Sequence, residues 1–179
     1  MLIFLIISAV FGLESTLAAQ SHEVKDLRDQ YYQAAKESEV AKEFYKKLVS
    51  LNGPEDTLVL GYKGMASFML ARHAKNPTAK LKYFVEGRNH LEKAIRLDPD
   101  NLELRYLRFT VQTSAPEFLG YQRNIASDKE FILDSIYDRK STDEDLINRM
   151  VDYMLRTKFC TRREKKKIKS FHQSLNQEE

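Results

Sequence analysis

The chain has no tryptophan, one cysteine, six glycines and four prolines in 179 residues. Each shortage excludes something. A lone Cys160 cannot close an intramolecular disulfide, and with no Cys or His beside it there is no zinc site of the usual paired spacing. So little Gly and Pro leaves few turns for a many-stranded sandwich or barrel. After Ser21 no segment alternates apolar and polar residues with the period of two that a half-buried strand requires. Charge of one sign is not in large excess either, since 29 Lys and Arg stand against 26 Asp and Glu, a net +3. What remains is 42% hydrophobic and 31% charged, the composition of amphipathic helices. This length suits one domain with a core that needs no metal or disulfide.

The one long apolar run lies at the start. MLIFLIISAVFGL is short of the roughly 20 apolar residues that span a bilayer. In the following ESTLAAQ, Thr16-Leu17-Ala18 or Leu17-Ala18-Ala19 offers small residues to a signal peptidase. Residues 1–19 therefore read as a secretory signal, which makes the chain an exported protein, periplasmic if bacterial. An uncleaved anchor is the alternative, because no Lys or Arg precedes the run. No Cys stands where a lipid anchor would need one. Removing residues 1–19 takes away Glu14 and no base, leaving 29 bases against 25 acids, or +4. A helical domain is expected over residues 20–160, followed by a basic C-terminal helix and tail over 161–179. In an exported protein the single thiol is expected to be buried, as Cys packs well as a small apolar residue.

Helical periods fill the rest. Leu27, Tyr31, Ala34 and Ala35 form one stripe, and after the polar patch at Lys36–Glu39, Val40, Phe44, Leu48 and Leu51 form a second. Asn52-Gly53-Pro54 closes that pair. A third helix, from Glu55 to about Lys75, carries Leu58, Gly61, Met65, Phe68 and Met69, and its small residues Gly61 and Gly64 let a neighbour approach closely. Asn76-Pro77 supplies a cap and a first-turn proline for a fourth helix, with Leu81, Phe84, Val85, Leu91 and Ile95 on its buried side. Asp98-Pro99-Asp100-Asn101 ends it near Leu97 and caps the next, Leu102 to about Thr113, which is apolar on more than one side and so belongs in the middle of a stack. Capping boxes are expected at Ser127–Glu130, Ser141–Glu144 and Thr161–Glu164. The total is about eight helices in antiparallel neighbours, an all-α protein.

Leu91, Ala94 and Pro99 reproduce the spacing of an apolar residue, a small residue and a turn proline that ends the second helix of a tetratricopeptide repeat, with Gly87 one turn earlier. The chain resembles that family in this unit, although Leu60 and Gly64 lie about ten residues too far upstream for a 34-residue repeat. The segments LGYKGMA, NPTAKLKYFVEGRNHLEKAI and LRFTVQTSAPEFLGYQRNIASDK resemble a group of small exported bacterial proteins with a repeat-like fold. The resemblance implies a tetratricopeptide-like right-handed α-solenoid and no reaction.

Residues that could carry chemistry are scattered. His22, His73, His90 and His172 lie far apart, with no HExxH, and no metal or cofactor is expected. No GxSxG elbow is present. Cations in FCTRREKK could lower the pKa of Cys160, but no His is set to orient it. Asp128, Asp134 and Asp138 share one helix and read as a solvated face. The run Arg162, Arg163, Lys165, Lys166, Lys167 and Lys169 could meet an anionic membrane weakly; it has no interleaved aromatics to stack on bases, so no nucleic-acid role is expected.

The remaining candidates are Arg105, Arg108 and Gln112, spaced i, i+3 and i+7, with Tyr121 and Asn124 after them. On the concave face of a helix stack they would contact a protein or peptide. The competing assignment pairs the arginines internally with Glu86, Glu92 or Glu103, or has them cap carbonyls of the Phe118 loop. The expected function is thus a non-enzymatic scaffold or adaptor. The alternatives are an exported enzyme whose site assembles from separate helices, or a peripheral binder of anionic membranes.

Overall fold

The computed structural model describes residues 24–51, 56–138, 141 and 143–175. The expected signal over 1–19, the Asn52-Gly53-Pro54 stop and the end of the tail lie outside them. Among the described residues every regular element is helical: α1 (24–34), α2 (Ser38–Ser50), α3 (Thr57–His73), α4 (Pro77–Leu97), α5 (Leu102–Ser114), a 3-10 turn (Glu117–Leu119), α6 (Ile125–Tyr137), α7 (Glu144–Arg156) and α8 (Arg162–Leu175). The protein is all-α, as its periodicity predicts. The described chain forms two compact units: residues 24–51 with Tyr62–Arg88, and residues 56–61 with those from Asn89 onward.

In the first unit, α1 and α2 break at residues 35–37, where Glu37 turns extended (φ −127°, ψ 126°). Leu27, Ala34, Ala41, Phe44 and Leu48 are buried on one side of the pair. Aromatic edges join the helices: Tyr45 meets Tyr83 at 6.1 Å and Phe68 meets Phe84 at 5.3 Å. Gly87 shows why a small residue is needed in α4, because a Cβ there would lie 2.8 Å from the Gly64 carbonyl oxygen and 3.0 Å from the Phe68 ring. The Tyr45 hydroxyl donates to Glu86 at 2.7 Å, and that carboxylate pushes the phenol pKa up to about 12. Two stripe positions depart from expectation. Leu51, at the end of α2, and Leu81 are exposed, because each sits at or near a helix terminus where the apolar face runs out.

In the second unit, α5 packs on α6, and α7 packs on α5, α6 and α8. The shared core contains Phe109, Ile132, Ile136, Met150, Met154, Cys160 and Ile168. Gly61 lies so close to Leu104 that a Cβ would collide with its side chain. Glu103, Leu104, Tyr106, Leu107, Arg108, Phe109 and Gln112 are all buried, so α5 is enclosed on more than one side, as expected of a middle helix.

The caps divide. Asn76 accepts from the Thr78 N–H at 2.8 Å, and Asn101 accepts from the Leu104 N–H at 3.1 Å while donating to Asp98. Thr161 and Glu164 form the expected reciprocal box, at 2.6 and 3.2 Å. The box at Ser127–Glu130 does not form. α6 starts earlier, at Ile125, so Ser127 is already inside its first turn and donates to the Asn124 carbonyl. Nor does Ser141 cap α7. It accepts from the Asp143 N–H, and Asp143, two residues on, accepts from Leu146 and caps the helix.

Candidate functional site

The spacing of Arg105, Arg108 and Gln112 puts three long polar side chains on the side of α5 that packs on α6. Facing them is Asp128, fully buried in the first turn of α6, where a carboxylate also complements the helix dipole. Asp128 is therefore not part of a solvated face, unlike the exposed Asp134 and Asp138 that follow it. A signal was available in the spacing: Asp128 stands four and eight residues before Ile132 and Ile136, on the apolar stripe of α6, whereas Asp134 lies about 120° around the helix from Asp128.

Arg108 grips this carboxylate with two donors, Nε to Oδ2 at 2.7 Å and Nη2 to Oδ1 at 2.8 Å. Its third nitrogen reaches Glu92 of α4 at 3.2 Å. Burial would lower the pKa of this guanidinium, but the bonds to Asp128 and Glu92 outweigh burial and hold it above its ordinary value. Arg105 also donates from Nε to Asp128. Its other nitrogens reach the carbonyls of Pro99 at 3.1 Å and Ser127 at 3.5 Å, and the plane lies over the Phe131 ring, 4.6 Å from its centre. Its side chain is 16% exposed. Both arginines are thus paired internally, but their shared partner is Asp128, which was expected on a solvated face, and of the expected acids Glu92 pairs with Arg108.

Tyr121 and Gln112 extend the network towards the loop after α5. The Tyr121 hydroxyl donates to the other oxygen of Glu92 at 2.7 Å. Gln112, only 1% exposed, accepts from the Asn124 N–H at 3.2 Å and donates to the Asn124 side chain at 3.4 Å. The five candidates Arg105, Arg108, Gln112, Tyr121 and Asn124 are thus brought together, and each has a partner within the protein.

The loop Ala115–Asn124 runs from the C-cap of α5, where the Ala115 N–H donates to the Val111 carbonyl, to these held residues. Leu119 and Gly120 donate back to Pro116 and Glu117 at 3.1 and 3.0 Å, closing the 3-10 turn. Gln122 donates to the Pro116 carbonyl at 3.4 Å, and Gly120 takes the left-handed conformation (φ 62°) that glycine adopts without strain. Phe118 lies inside this turn and is 86% exposed. From sequence it reads only as part of a connection. Its apolar residue type in a loop bounded by Pro116 and Gly120 is the available signal, but exposure depends on the turn's direction.

Elsewhere, Cys160 is buried, with its sulfur 4.0 Å from that of Met154. Burial first, and Glu164 second, push its thiol pKa up, the opposite of activation. His73 bonds the Ala34 carbonyl at 2.8 Å, and Lys63 reaches the Leu51 carbonyl at 3.3 Å. Lys82 lies against Tyr83. Among the described residues no three His, Cys, Asp or Glu side chains are placed to hold a metal ion, and no helix is long and apolar enough to cross a membrane. No family model, curated protein or solved structure matches the chain.

Proposed function

We propose that this protein is an exported, non-enzymatic adaptor, a tetratricopeptide-like right-handed α-solenoid that binds another protein through the Ala115–Asn124 loop. The observation that carries this reading is Phe118, 86% exposed on a turn that leaves the C-cap of α5 at Ala115 and is held on its far side by the bonds of Tyr121 and Asn124. An aromatic side chain held outward on a fixed backbone loses little conformational freedom when a partner covers it, which is the property of an interface anchor. The packing of sequence neighbours α5 on α6 and α7 on α8 supports the repeat-like architecture. Within this function Arg105 lies at the rim and is open to direct contact. Arg108, Gln112, Tyr121 and Asn124 act as positioning residues for the loop.

The test is affinity capture from the envelope fraction of the source organism, with wild-type chain and Phe118→Ala as parallel baits. The exposed ring makes no core contact to lose, so the variant should melt as the wild type does, within about 0.5 kcal/mol. A protein retained by the wild type and reduced about tenfold or more on the variant is expected, the effect of an aromatic anchor. Equal capture by both baits, or capture by neither, would overturn the assignment of this loop.

A further inference from the structure

The net charge of +3 hides a strong local asymmetry. Residues 156–169 contain eight Lys and Arg and one acid, Glu164, a local +7, so the remainder sums to 21 bases against 25 acids, or −4. These cations belong mainly to α8, and the fold determines which way they face. Ile168 is fully buried in the core, and Phe171 packs against it with its ring 5.7 Å from that of Tyr137. The one acid of the run is turned inward as well: Glu164 bonds Lys129 of α6 at 2.9 Å and closes the Thr161 cap. Arg162, Arg163, Lys166, Lys167 and Lys169 are exposed.

Their spacing makes an array. Arg162, Lys166 and Lys169 run along the middle of the outer face, with Arg163 and Lys167 in a second row beside them. Members of a row are about 6 Å or less apart along the axis. This arrangement opposes helix stability in two ways. Arg162→Lys166, Arg163→Lys167 and Lys165→Lys169 are like-charge pairs at i, i+4, and two arginines occupy the first turn, where the helix dipole disfavours cations. Lys167 lies 3.8 Å from the centre of the Tyr137 ring and so has a use within the fold, but the exposed Arg162, Arg163, Lys166 and Lys169 work against their own helix, which points to a use outside it.

We infer that the outer face of α8 is a docking surface for anionic phospholipid headgroups. Three of the five exposed cations are lysines, compact mobile charges that suit laterally mobile phosphates, and two are arginines. The apolar face of α8 is occupied by the core, so the helix lies against the headgroups without inserting. Binding is electrostatic and additive over the cations. It is independent of Phe118 and of the adaptor assignment.

The test is co-sedimentation of the full chain with vesicles of phosphatidylcholine, alone or with about a third phosphatidylglycerol. The neutral vesicles report any binding through the apolar residues 1–13, which every variant shares. Wild type should favour the anionic vesicles, and about 0.5 M NaCl should abolish that preference by screening. Each cation near the surface contributes about fivefold, so Arg162→Gln/Lys166→Gln/Lys169→Gln should weaken binding on the order of a hundredfold. Lys166→Arg/Lys169→Arg should bind as wild type does. If the triple variant loses its helical circular dichroism, Lys166→Gln/Lys169→Gln replaces it, with a loss of about 25-fold expected. Equal binding to both vesicle types, or variants that bind as tightly as wild type, would overturn the inference. Tighter binding to soluble polyglutamate than to the anionic vesicles, at equal charge, would also overturn it and assign the face to an acidic polypeptide.

Discussion

Asp128 is a point of convergence in the second unit's polar order, since both Arg105 and Arg108 donate to its two oxygens. The desolvation of such a cluster is costly, and the ion pairs offset it only while every member is present. Asp128→Ala would leave the 7% exposed Arg108 side chain with Glu92 as its remaining acid, and Glu92 is already shared with Tyr121. We expect a loss of about 3–5 kcal/mol in denaturant unfolding. A solvated acid provides the comparison: Asp134→Ala, on the exposed side of the same helix, should stay within about 0.5 kcal/mol. A small effect for Asp128→Ala would show that the cluster does not support the fold. The polar spacing of α5 was legible in the sequence because i, i+3 and i+7 define one face. Its chief partner was not read, although Asp128 falls on the i, i+4, i+8 stripe with Ile132 and Ile136, because an acid on an apolar stripe reveals its burial only when a cation from another helix is placed opposite it.

At the scale of elements, helix boundaries follow from competition between local signals and packing. Three Ser/Thr-x-x-Glu patterns are expected to open helices, and of these only Thr161–Glu164 forms the reciprocal box. At Ser127 the pattern is overruled because the Gln112–Asn124 clamp fixes the chain just before Ile125, so the helix begins there. At Ser141 a stronger acceptor, Asp143, stands next to the apolar run and takes the N-cap position. The turns at Asn76-Pro77 and Asp98–Asn101 were readable because proline and a single cap residue agree. The prediction at this scale is a contrast. Thr161→Ala should cost about 1 kcal/mol, whereas Ser127→Ala should cost less than about 0.5 kcal/mol. Equal effects in thermal or urea unfolding would contradict the observed boundaries.

At the scale of the whole molecule, composition described the class of fold but not the distribution of charge over its surface. A net +3 on 179 residues says little about partners, and the division into +7 over residues 156–169 and −4 over the rest appears only when the chain is read in segments. Which of those cations face solvent then depends on Ile168 and Phe171 entering the core. The proposed protein-binding loop and the proposed lipid-binding helix share no residue, so they must be separable. Phe118→Ala should reduce partner capture about tenfold or more and leave vesicle binding unchanged, and Arg162→Gln/Lys166→Gln/Lys169→Gln should weaken vesicle binding on the order of a hundredfold and leave capture unchanged. When the substitutions are combined, their effects on stability should add within about 0.3–0.5 kcal/mol, as for sites with no common contacts. If the charge variant also lost the protein partner, the cations would belong to the adaptor surface, and one extended interface would replace two separate ones.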